Sequence, residues 1–148
     1  MIELNLEDIK KLIPHRNPFL FIEKCTIIER GKIGKSFRTF DENEYFFEGH
    51  FPGNPIVPGV VIIEAMAQTA GVVVSENLTK DDNKSVLFMS INKAKFRKPV
   101  LPNYRIKFYV EMINNVKNVY KFLGKAYFED VLVSEAEFTA MITDQSNN

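Results

Sequence analysis

Glu48-Gly49-His50-Phe51-Pro52-Gly53-Asn54-Pro55-Ile56-Val57-Pro58-Gly59 runs straight into Val60-Val61-Ile62-Ile63-Glu64-Ala65-Met66-Ala67-Gln68-Thr69-Ala70-Gly71-Val72-Val73-Val74. Prolines fix φ along the first segment and glycines permit turns that other residues resist, so it is a loop of defined shape. The second segment is apolar on nearly every side, with Glu64 its one charge, which is the composition of a helix surrounded by protein. Proline suits a first helical position, so the helix begins near Pro58 or Gly59 and runs to about Ser75. Its valine-rich end is a poor helix former, and packing must hold it. Glu64 and Gln68, four residues apart, share a face. One of the chain's two histidines, His50, stands in the stiff loop just ahead. A positioned histidine and an isolated carboxylate suggest acid–base chemistry.

Outward from this centre, the chain predicts a buried helix between two groups of strands. Asn5 caps a short helix to about Ile13, with Glu7 and Asp8 in its first turn, where the helix dipole favours anions. Pro14-His15-Arg16-Asn17-Pro18 is a loop. Strands are expected over 19–29 and 33–40, joined by a turn at Arg30-Gly31-Lys32, and then over 85–97, 105–113, 119–128 and 131–143. The 105–113 stretch alternates, with Ile106, Phe108, Val110 and Met112 on one face. Asn114-Asn115 and Glu129-Asp130 are the expected hairpin breaks, 78–84 a charged loop and 144–148 a frayed tail. The fold class is α+β, an antiparallel sheet curled around its helix. Its sheet edge needs cover, and a dimer with one continuous sheet is the natural solution.

A chain of 148 residues makes one domain, residues 1–148, large enough to bury a core. Nineteen basic and nineteen acidic side chains cancel, so the whole-chain charge points to neither nucleic acid nor an anionic membrane. A single cysteine, Cys25, excludes an internal disulfide and reads as a small buried hydrophobe in a reducing compartment. The start of the chain is acidic and lacks the basic region of a signal peptide. The run 60–74 is shorter than a membrane span and is interrupted by Glu64 and Gln68. Two histidines and one cysteine, widely separated, provide no metal cluster of familiar spacing. No phosphate-binding glycine loop or nucleophile elbow is present either, so neither metal nor dissociable cofactor is expected.

The run from Gly49 to Val60, followed by Ile63-Glu64-Ala65-Met66-Ala67-Gln68, closely resembles the FabZ family of 3-hydroxyacyl-[acyl-carrier-protein] dehydratases, which have the hot-dog fold. Pro14-His15-Arg16-Asn17-Pro18-Phe19-Leu20 and Lys93-Ala94-Lys95-Phe96-Arg97-Lys98-Pro99-Val100 agree with it, and the likeness covers nearly the whole chain. Asn17 stands where the family has an aromatic residue, and Asn103-Tyr104 where it has Gly-Asp. Asparagine tolerates the left-handed conformation, so that turn can survive. A related family that also isomerises the double bond has aspartate at the position of Glu64, which favours dehydration alone.

The resemblance implies the roles. His50 would take the proton from C2, with its other ring nitrogen held by the backbone carbonyl of Ile56. Glu64, in apolar surroundings that favour the protonated carboxyl, would give a proton to the departing C3 hydroxyl. The Gly59 N–H, at the positive end of the helix, would bind the thioester carbonyl. By analogy, His50 of one subunit meets Glu64 of the other, in a homodimer and a trimer of such dimers. Gln68 either orients Glu64 or satisfies local backbone, and His15 is expected to be structural. Phe88, Met89, Ile91 and Phe96 either line an acyl slot or pack in the core. Lys93, Lys95, Arg97 and Lys98 either dock an acidic acyl carrier protein bearing its phosphopantetheine arm or form a solvated strand face. The implied enzyme is cytoplasmic. Its rivals are a hot-dog thioesterase, a coenzyme A-linked enoyl hydratase, and a non-catalytic acyl-thioester sensor.

Overall fold

The computed structural model describes residues 1–78 and 84–144, so most of the expected 78–84 loop and 144–148 tail lies outside the described residues. In chain order the elements are β1 (Ile2–Leu4), α1 (Leu6–Leu12), β2 (Lys24–Glu29), β3 (Ile33–Thr39), a 3₁₀ turn (Tyr45–Glu48), α2 (Gly59–Asn77), β4 (Lys84–Phe96), β5 (Arg105–Val116), β6 (Val119–Phe128) and β7 (Val131–Asp144). The strands form one antiparallel sheet in the order β1-β2-β3-β5-β6-β7-β4. It wraps α2, the hot-dog arrangement expected from the sequence.

Every residue from Val61 to Ser75 is buried except Glu64. The inward faces of the strands supply the matching surface: Ile106, Phe108 and Val110 of β5, Phe122 of β6 and Phe138 of β7 are fully buried. Each such side chain contributes about 1.5–3 kcal/mol by leaving water. Close approach of α2 to β3 and β6 depends on Gly34 and Gly124. A β-carbon on Gly34 would stand 2.4 Å from Val73 Cγ2, and one on Gly124 2.7 Å from Met66 Sδ. Thr69 donates to the Ala65 carbonyl at 2.8 Å, and Ser36 donates to Thr69 at 2.7 Å, which ties β3 to the helix inside the core.

Asn5 caps α1 as expected, in a reciprocal pair with Asp8. Pro58 is the cap of α2, one position before the helix, and α2 runs two residues beyond Ser75 to Asn77. The expected 19–29 strand is shorter, beginning at Lys24. Leu20, Phe21 and Ile22 are all buried, which a pleated strand with one wet face does not allow, and the Phe21 N–H goes to Gln68 instead of a neighbouring strand. β1 has no counterpart among the expected strands, since three residues are too short to show a period. The Asn114-Asn115 break is also displaced: β5 continues to Val116 across a bulge, and the Asn115 side chain donates to the Lys117 and Val119 carbonyls to brace the turn. Glu129 and Asp130 form the second hairpin turn where expected, both with positive φ. Asn103 also adopts positive φ, +70°, so that turn is kept.

Candidate active site

The loop after the 3₁₀ turn is held by its own backbone. The His50 N–H donates to Phe46 O at 3.0 Å, Phe51 and Asn54 exchange hydrogen bonds, and the Ile56 N–H returns to His50 O at 2.9 Å. Val57 then donates to Val100 O, tying the loop to the segment before β5. Within this frame His50 Nδ1 lies 2.8 Å from the Ile56 carbonyl oxygen. A carbonyl can only accept, so Nδ1 carries the hydrogen, and in the neutral ring Nε2 is the nitrogen with the free lone pair. The ring stacks on Phe51, with centroids 4.1 Å apart.

His50 opens onto a cavity of about 340 Å³ lined also by Ile56, Gly59, Phe96, Arg97 and Lys98. Gly59 is the first residue of α2. Its N–H has no helical carbonyl four residues back to receive it, and it stands where the helix concentrates positive charge.

Glu64 is not among the residues lining this cavity. It belongs to a second cluster, formed where α2 meets the 13–21 segment. Gln68, fully buried, accepts the Phe21 N–H at 2.8 Å and donates to Phe19 O at 3.0 Å and to Glu64 Oε2 at 3.0 Å. His15 Nε2 lies 3.3 Å from the same Oε2. The backbone of His15 is fixed by Arg16, whose guanidinium donates to the carbonyls of Lys10, Ile13 and His15. The sequence predicts only a structural part for His15, whereas the structure sets it beside Glu64. One signal was available: both histidines stand in proline-framed loops.

The basic residues near the cavity are partly neutralised. Arg97 donates to Glu135 at 2.8 Å and Lys93 lies 3.3 Å from Glu137. The Arg97 hydrogen bond holds the Glu135 carboxyl below the ordinary range, and the Lys93 hydrogen bond does the same for Glu137. Lys95 is opposite Glu135 across the strands. Among the described residues, Lys98 has no such carboxylate. Of the expected slot residues only Phe96 lines the His50 cavity. Phe88, Met89 and Ile91 lie on β4, exposed, at the outer edge of the sheet. No group of three or more possible metal ligands occurs among the described residues. α2 has the length and apolar content to cross a membrane, yet it is enclosed by the sheet.

A family model, the FabA-like domain, matches residues 13–137. A relative from Nitratiruptor sp., a 3-hydroxyacyl-[acyl-carrier-protein] dehydratase FabZ, is 43% identical over 147 residues, covering 96% of this chain and 99% of its own. The FabZ dehydratase of Sulfurovum sp. is 44% identical over 146 residues, covering 95% and 98%. Among solved structures, the dehydratase heterocomplex ApeI:P from Xenorhabdus doucetiae superposes with a TM-score of 0.78 over 93% of this chain and 92% of its own; at 14% identity it bears on the fold alone.

Proposed function

The chain belongs to the FabZ family of 3-hydroxyacyl-[acyl-carrier-protein] dehydratases, within the FabA-like domains, and we propose that it converts a carrier-bound (3R)-hydroxyacyl chain to the trans-2-enoyl chain. His50 Nε2 takes the proton from C2, and the electron pair of that bond forms the C2–C3 double bond. The hydroxyl leaves C3 as water with a proton supplied by the partner subunit's Glu64. The Gly59 N–H stabilises the charge that gathers on the thioester oxygen. Each of the two proton-transfer groups contributes about 10²- to 10⁴-fold. All steps are acid–base steps, so the reaction needs no dissociable cofactor.

The observation that carries this reading is the His50 ring, anchored through Nδ1 on Ile56 O in the cavity that Gly59 also lines. The absence of Glu64 from that cavity supports a site shared between two subunits. The exposed apolar residues of β4 support a homodimer joined along that edge into one continuous sheet, and by likeness to the family three such dimers assemble. The substrate arrives on an acidic acyl carrier protein docked by Lys95, Arg97 and Lys98, and the enzyme works in the cytoplasm. The test is an assay on carrier-bound crotonyl thioester, following hydration and free thiol together. Hydration without thiol release is expected; thiol release without hydration would make the protein a thioesterase.

A further inference from the structure

We infer that His15 is a positioning residue for the general acid: with Gln68 it keeps Oε2 of Glu64 as an accepting oxygen, so that the transferable proton resides on Oε1. The inference rests on the proposed role of Glu64. Gln68 is fixed in orientation by its surroundings. Its Oε1 takes the Phe21 N–H and its Nε2 serves the Phe19 carbonyl, so the atom facing Glu64 Oε2 at 3.0 Å is a donor. His15 Nε2 stands 3.3 Å from that same oxygen, with its side chain 12% exposed.

The tautomer follows from the other ring nitrogen. His15 Nδ1 is buried and, among the described residues, has no hydrogen-bond partner. Placing the hydrogen there would orphan a buried donor and set the Nε2 lone pair against an oxygen that already accepts. Placing it on Nε2 leaves only a lone pair unpaired and sets the N–H near Oε2, 3.3 Å away, as a close electrostatic contact and not an aligned hydrogen bond. Orphaned buried donors are the rarer defect. The Gln68 hydrogen bond and the nearby His15 nitrogen together favour Oε2 as the accepting oxygen and leave Oε1 to carry and give the proton. They also meet the negative charge left on the carboxylate once the hydroxyl has departed.

His15 is held for this task from outside the site. Pro14 stiffens its loop, and Arg16 binds the backbone carbonyls of Lys10, Ile13 and His15 itself at 2.7–3.0 Å. A ring needed only to fill space would have no reason to present a nitrogen to Glu64.

The test uses purified full-length chains and carrier-bound crotonyl thioester. His15→Phe keeps the ring volume and removes the polar nitrogen; kcat is expected to fall about 10-fold, just under the worth of an aligned hydrogen bond to a charged group, with KM within about twofold. His15→Gln, whose amide N–H reaches the same oxygen, should recover most of kcat. In a Glu64→Gln background His15→Phe should add no further loss, because it acts through Glu64. An unchanged kcat in His15→Phe, or a full additional loss in the Glu64→Gln background, would overturn the inference. If His15→Phe does not fold, His15→Met against His15→Gln supplies the same contrast. Undiminished turnover in Glu64→Gln alone would instead remove Glu64 as the acid, a separate failure of the proposed function.

Discussion

The Phe96 ring lies so close to the backbone of Gly59 that a β-carbon on Gly59 would stand 2.5 Å from Cε1 and 2.8 Å from Cδ1. Glycine here keeps the start of α2 bare, which the proposed carbonyl-binding role of its N–H requires. Phe96 is 53% exposed and can swing aside, so Gly59→Ala is expected to fold with little change in melting temperature. The displaced ring and the new methyl crowd the cavity, however. A misplacement near 1 Å costs about 10²-fold, and kcat/KM for crotonyl thioester should drop by that order. Adding Phe96→Ala should return part of the loss; no recovery would show that the ring is not the obstacle.

Gln68 joins fold to site through three hydrogen bonds made by one amide. Gln68→Ala orphans the buried Phe21 N–H, which alone costs about 1–3 kcal/mol, and frees Glu64. Urea unfolding should show that loss of stability, and turnover should fall further than stability accounts for when assayed well below the unfolding midpoint. Equal activity per folded molecule would confine Gln68 to a structural part.

The centre of the fold was legible because its cues are local. Prolines and glycines marked the loop, and an apolar stretch broken by one carboxylate marked a buried helix. Alternation marked β5, and two residues with positive φ made the turn at Glu129-Asp130. Contacts between distant segments leave no such trace. The Phe21 backbone turns from strand pairing to Gln68, and His15 meets Glu64, because α1 and its following loop fold back on α2. Neither event alters a periodicity. The apolar strand β4 was legible as a strand, but its exposure is a property of the sheet order, which places it at the edge.

Burial pushes the Cys25 thiol up to about 12, and the residue is 1% exposed. The thiol therefore stays protonated at pH 8, and native protein should resist iodoacetamide there while unfolded protein reacts at once. The linkage has a definite sign. The raised value favours the folded state fully below the unfolded value of 9.0, and this contribution is lost as pH climbs toward 12. Cys25→Ala should show a weaker fall in stability over that alkaline range, measured by urea titration at several pH values.

Among the described residues, Lys98 lines the cavity without a carboxylate beside it, whereas Arg97 is bonded to Glu135. Reversal of Lys98 to glutamate should therefore raise KM for carrier-bound substrate more than the same change at Arg97. A small pantetheine thioester, lacking the acidic carrier, should be used equally by both variants. The difference should shrink as salt rises, since a charge at the rim acts mainly through screened attraction. Equal losses on both substrates would place the effect in the cavity instead of the docking surface.

His50 and Glu64 lie in different clusters of one chain, which a shared site requires and a self-contained site does not. Leu87, Met89 and Ile91 are each about half exposed along β4, the edge strand where a second sheet could continue. Ile91→Asp should put a charge into that seam and shift the protein toward monomers by sedimentation, with turnover lost in step. Complementation is the sharper measurement. His50→Ala and Glu64→Ala chains, each inactive alone, are unfolded together and refolded as a mixture. If subunits pair at random, half the dimers are mixed, and each mixed dimer carries one site with both His50 and Glu64. The mixture should then recover about a quarter of wild-type turnover per chain, since half the dimers hold one intact site of two. No recovery, in a mixture whose heterodimers are verified by mass spectrometry, would return both residues to a single subunit.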